Sequence, residues 1–281
     1  MTMQEPNFAA FINSLYSSPQ ELLTANATDN YIITSKLLKG EALITTIGNT
    51  LTAFERPIGD TFMMMEDDLI GKFSSEKKKE YAPESPYIED GKLRIRETLY
   101  DKMIMCPLIM DFSQEQSALD RYYYTFPSED KLTPYLKATV EGMAKYYKER
   151  PNGLFEFYPF AGINPKVHSF GFLIDFLDKY INTSHEMHKM HTVPSKPFYG
   201  IKIYPPLGFN PWPNDEETLE KHKTLYSFCE KNRVPIITHC DDQGFRGISA
   251  NLAWNYSDPA SWRTVLENYP NLILDFAHFG M

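Results

Sequence analysis

The sequence predicts an α/β chain of the parallel-barrel type, and three short segments in its last third carry that prediction. Tyr199-Gly-Ile-Lys-Ile-Tyr204, Val234-Pro-Ile-Ile-Thr-His-Cys240 and Leu272-Ile-Leu-Asp-Phe-Ala-His278 are apolar β runs, and each leads into a turn. Each carries, at or near its end, a residue able to hold a metal or a proton: Lys202, His239 and His278, spaced 37 and 39 residues apart. That spacing accommodates one strand, one helix and two loops. In a parallel barrel it brings the carboxyl ends of successive strands around one mouth.

The intervening helices are signalled independently. Asn214 is placed to cap the first, with Glu217 as its capping-box partner. Leu219, His222, Leu225, Tyr226 and Cys229 then form one apolar stripe. Asp258-Pro259 opens the second helix, a cap followed by proline at the first helical position, and Pro270 stops it. Upstream, Met103 to Phe112 reads as a strand bent at Pro107, residues 132–149 as a helix, Leu154 to Phe160 as a strand and residues 170–180 as a helix. Residues 1–100 read differently, as a mainly helical segment or an insertion, with a helix over 6–23. The apolar runs within 31–51 and Met63-Met64-Met65 fit helix or strand equally. Residues 74–86 are charged and proline-broken, and read as an exposed loop. The expected division is therefore 1–100 and 101–281.

Composition narrows the class. A 42% hydrophobic and 14% aromatic share in 281 residues supports a sizeable core. A net charge of −9 argues against nucleic acid as the main partner. Three cysteines, Cys106, Cys229 and Cys240, suit a reduced, cytoplasmic protein better than a disulfide framework. The first residues show no signal peptide, and no run reaches the roughly 18 apolar residues of a membrane span.

Gly200-Ile-Lys-Ile-Tyr-Pro-Pro-Leu-Gly-Phe-Asn-Pro211, Pro235-Ile-Ile-Thr-His-Cys240 and Asn271-Leu-Ile-Leu-Asp-Phe-Ala-His-Phe-Gly280 resemble strands four, five and six of the amidohydrolase superfamily. The branch is the amidohydrolase-related one that also holds decarboxylases and hydratases, and the resemblance covers 102–281. It implies a distorted (β/α)8 TIM-type barrel with one or two divalent metal ions at its mouth, zinc foremost. The family supplies His-x-His from strand one, a carboxylated Lys or a Glu from strand four, His from strands five and six, and Asp from strand eight. His239 and His278 match the strand-five and strand-six ligands, and Lys202 lies in the strand-four segment.

The departures are equally plain. No His-x-His occurs and no histidine precedes His168. The sequence ends three residues after His278, so on the family's plan strands seven and eight and their Asp are absent and strand one is altered. The expectation is an incomplete barrel, either a fragment of a longer product or a split or decayed copy. The implied activity is metal-dependent hydrolysis of a C–N or C–O bond in a small molecule. The alternatives are decarboxylation or hydration of a small carboxylic acid, and a non-catalytic remnant binding a ligand or a partner.

Expected roles follow. His239 and His278 are the metal candidates. Lys202, Arg246 and Trp212 are the substrate-binding candidates, with positive charge near Lys202 or Arg246 favouring an acid substrate. No catalytic residue is assigned. A homo-oligomer covering the open barrel edge is expected. His185-x-x-His188-x-x-His191 is read as a solvated loop, with chelation as the alternative. Asp241 and Asp242 are read as cap or turn formers, with a place at the mouth as the alternative, Asp111 as a residue that could line the mouth, and Trp254 and Tyr256 as loop residues that wall a substrate pocket or pack over the rim.

Overall fold

The computed structural model describes residues 56–69, 87–89, 92–113, 132–186, 188–241 and 246–280. The expected helix over 6–23, the apolar runs of 31–51, the loop over 74–86 and Asp242 lie outside these residues. The described elements are α1 (Ile58–Leu69), β1 (Tyr87–Glu89), β2 (Lys92–Ile95), β3 (Thr98–Tyr100), β4 (Met103–Met105), α2 (Leu132–Glu149), β5 (Phe155–Phe157), β6 (Phe160–Gly162), α3 (Phe170–Tyr180), β7 (Gly200–Ile203), α4 (Glu216–Lys231), β8 (Ile236–Thr238), α5 (Ala250–Ser257), α6 (Arg263–Asn268) and β9 (Leu274–Phe276).

The fold is mixed α/β, with parallel sheets and helices between their strands. β6, β7, β8 and β9 form one parallel sheet in that order, and β4 pairs with β5 in a second. The two are joined along one path. Tyr158 N–H donates to the Met105 carbonyl at 2.8 Å, Phe160 N–H to Pro107 at 2.8 Å, and Ile109 N–H to Phe160 at 3.0 Å. Five chain segments thus lie side by side in sequence order, all parallel. Prolines explain the breaks. Pro107 and Pro159 have no N–H to give a ladder, so the expected strand over Met103 to Phe112 is three residues plus a single bridge at Leu108.

Alternation decides which side chain faces which way. Ile201, Ile203 and Ile236 pack with Leu173, Phe176, Leu225, Tyr226, Cys229 and Val265 in the helix-side core. The register then places Gly162, Lys202, Ile237 and Asp275 in one row on the opposite face. Ile104, Leu108 and Ile273 remain 64%, 41% and 43% exposed there. Gly162 is required in this row. A Cβ would collide with the backbone of residues 109 to 111, so its bare Cα lets the first strand segment approach.

The first part of the chain is only partly helical in the described residues. Met63 to Met65 belong to α1, but β1, β2 and β3 form an antiparallel meander. Nor does a core boundary fall at residue 100, because Phe62 and Leu93 share a cluster with Met143, Tyr146, Phe155 and Phe157. α1 and α2 approach closely at Gly59 and Gly142. Arg150 fixes their ends through both carboxylate oxygens of Asp67, at 2.9 and 3.0 Å. Three further details differ from the sequence reading. The cap of α4 is Asp215, which accepts from Thr218 N–H at 2.8 Å, not Asn214. Glu217 pairs with Lys221 at 2.9 Å one turn on instead of closing a capping box. Trp254 and Tyr256 lie on α5, a helix without a strong sequence signal, rather than on loops. No helix among the described residues is long and apolar enough to cross a membrane.

Candidate functional site

Three adjacent parallel strands deliver the candidate residues to one end of the sheet. β7 presents Lys202 and leads to Tyr204, β8 leads to His239 and Cys240, and β9 presents Asp275 and leads to His278. This is the end at which sites form in parallel α/β folds, because the strands' exit loops supply side chains there. The His239 N–H is held by the Ile203 carbonyl at 3.1 Å, which fixes the exit of β8 against β7. Nε2 of His278 then lies 3.2 Å from Nδ1 of His239, with the rings nearly perpendicular at 79°. The Tyr204 ring packs against His239, their centroids 4.5 Å apart. His239 is buried, whereas His278 is exposed and adopts a left-handed φ of +57°.

Lys202 is 5% exposed, with Nζ 5.9 Å from the Tyr204 ring centroid. Burial drives its pKa down to about 8, against the opposing pull of Cys240 and Asp275. Burial pushes the Cys240 thiol up to about 12, with Lys202 acting in the other direction. Lys202 is thus a buried amine that holds its proton less tightly than a solvated lysine.

The other candidates disperse. Trp212 packs against the helix-side core, where Tyr226 O–H donates to the neighbouring Pro211 carbonyl at 2.7 Å. Arg246 is half-buried on a segment tied to the loop after β7 by Gly247 N–H to Pro206 at 2.8 Å. A cleft of about 240 Å³ lies beside that loop, lined by Lys166, Asn210, Asp215, Thr218, His222 and Tyr256 among others; Lys202, His239 and His278 are not part of its lining.

Two arrangements exceed the sequence reading. Asp111 is a buried anchor: its carboxylate accepts from Ser113 N–H at 3.0 Å and Asn164 N–H at 2.8 Å, and lies 2.7 Å from Nε2 of His168. His188 and His191 are largely buried against Glu156 rather than solvated, while His185 stays exposed. A lone Glu inside Phe155-Glu156-Phe157 was the available signal, since a carboxylate flanked by buried aromatics needs partners.

No family model matches the chain, and no characterised protein or solved structure matches it. Among the described residues no group of three His, Cys, Asp or Glu side chains stands ready to hold a metal ion. His239 and His278 bring two ring nitrogens to hydrogen-bonding distance, two donors where a catalytic zinc normally takes three protein ligands.

Proposed function

We propose that the chain is an amidohydrolase-like, metal-dependent hydrolase acting on a C–N or C–O bond of a small molecule. The observation that carries this reading is the 3.2 Å approach of the His239 and His278 nitrogens at the exits of neighbouring parallel strands. The same reading takes the sheet as part of a (β/α)8 barrel. Neighbours that follow sequence order, all parallel with helices on one face, suit the winding of a barrel better than a doubly wound sheet, whose order reverses at a switch point.

His239 and His278 would hold the ion, and imidazole donors favour zinc. Bound there, a zinc ion supplies a water acidified toward pH ~7 and a Lewis acid for the scissile group. Tyr204 packs against the His239 ring, and Lys202 would present a partly desolvated cation to an anionic substrate group. That buried cation also favours the second reading, decarboxylation or hydration of a small carboxylic acid. The exposed Ile104, Leu108 and Ile273 favour the third, a non-catalytic sheet that binds a partner or a second copy over this face.

The test is metal content by mass spectrometry after loading with Zn²⁺ and desalting. The hydrolase reading expects close to one equivalent, lost in the His239→Ala, His278→Ala double variant. Equal, low metal in both proteins would sink it.

A further inference from the structure

About 20 Å along the strand path from Gly162, a second polar cluster takes no part in the function proposed above. Glu156 on β5 is 5% exposed. Its Oε1 lies 3.0 Å from Nε2 of His191, and both its oxygens accept from the His191 backbone N–H, at 3.1 and 3.2 Å. That backbone is held at a φ of +55°. Lys102, just ahead of β4, places Nζ 2.7 Å from the same Nε2 and donates to the Gly153 carbonyl at 2.5 Å.

Nε2 of His191 cannot serve both neighbours. It must be bare to accept from the Lys102 ammonium, and it must carry a proton to donate to Glu156. Nδ1 of His191 is buried and without a partner, so no third group fixes the tautomer. The remaining groups facing the cluster come from three directions. Tyr147 on α2 donates its O–H to Glu156 Oε2 at 3.3 Å. His188 has Nε2 3.9 Å from Oε2, and its Nδ1 lies 2.6 Å from the Tyr199 hydroxyl. Tyr158 packs on His188 and is influenced by Cys106. Burial lowers the His188 pKa, with Glu156 pulling the other way.

We propose that His191 is a proton-operated latch between β4 and β5. In the neutral state its bare Nε2 is held by Lys102. In the protonated state Nε2–H turns to Glu156, and Lys102 keeps only its bond to Gly153. The segment around His191 is thus tied to both the lead-in of β4 and β5 when the ring is neutral, and to β5 alone when it is protonated. That segment runs directly into β7, the strand of Lys202.

The test is nitrogen NMR of the full chain labelled at its seven histidines, followed from pH 8 to pH 5. At pH 8 His191 is expected as the Nδ1–H tautomer. In Lys102→Met, and in Lys102→Gln as a second variant should the first fold poorly, the neutral ring is expected to switch to the Nε2–H tautomer. An Nε2–H tautomer at pH 8 in the unsubstituted chain, or a tautomer indifferent to both Lys102 variants, would overturn the latch. Circular dichroism on each variant separates these outcomes from loss of fold.

Discussion

Nε2 of His278 stands 3.2 Å from Nδ1 of His239, although the two residues are 39 apart in the chain and His278 sits in a left-handed backbone conformation. Two strand exits have been shaped so that two imidazole nitrogens share one small space. If a single ion occupies that space, the two residues act as a unit. His239→Ala or His278→Ala alone should each weaken Zn²⁺ binding at least about tenfold, equivalent to ~1.4 kcal/mol, and the double variant should add little. Calorimetric titration checks this; independent, additive losses would mean that the histidines serve separate sites.

Lys202 combines 5% exposure with a pKa near 8. The unfolded chain holds that proton up to about pH 10.4. Below pH 8 both states are protonated and the desolvation cost is constant. Between about 8 and 10.4 the unfolded state binds more protons, so stability rises with pH by up to ~3 kcal/mol. Lys202→Met should therefore raise stability at pH 7 by roughly 1–3 kcal/mol and flatten that rise. Urea denaturation at pH 7 and pH 10 measures both effects.

His222 is 1% exposed, stacked on Phe209 at 4.4 Å, and neither ring nitrogen has a hydrogen bond of good geometry. Burial drives its pKa down to about 4. The folded ring stays neutral where the unfolded one charges, so stability is lost as pH falls from about 6.5 toward 4, by up to ~3 kcal/mol. His222→Phe should keep its stability better than the unsubstituted chain between pH 7 and pH 5 in urea melts. Equal losses in both would show that His222 contributes nothing to acid sensitivity.

On one edge of β5, tyrosine hydroxyls take the place of a neighbouring strand. Phe155 N–H donates to Tyr146 Oη and Phe157 N–H to Tyr147 Oη, both at 3.0 Å. Tyr146→Phe or Tyr147→Phe leaves a buried N–H without an acceptor, so each should cost ~1–3 kcal/mol. Thermal or urea unfolding checks the cost. Each hydroxyl also faces a buried carboxylate, Glu66 for Tyr146 and Glu156 for Tyr147, so the two costs should be similar.

Much of the local architecture is legible along the chain. The extents of α2 over 132–149 and of α3 over 170–180 are readable because a 3.6-residue apolar period acts within a few residues. α5 was not legible. Asn251, Trp254 and Asn255 are all exposed on it, and the helix stands on few buried residues, Ala253 and Ser257 among them. The cap of α4 fell one residue from its expected place because Asn214 and Asp215 are both competent, and only the chain's entry angle chooses between them. In the candidate site, strand ends and histidine spacing were visible, but the fate of His188 and His191 was not. Their partner Glu156 lies some 30 residues away, and nothing local to the loop requires its burial.

The sequence by itself determined the strand–helix alternation and the placing of Lys202, His239 and His278 at or near the ends of three successive apolar runs, because those signals are periodic and short-ranged. The tertiary structure decided the rest. It set the parallel register that aligns Gly162, Lys202, Ile237 and Asp275, turned two imidazoles toward each other, and made one nitrogen of His191 the meeting point of Lys102 and Glu156. These are long-range contacts whose geometry depends on how whole strands stack, and no pattern within a single segment encodes a distance between two of them.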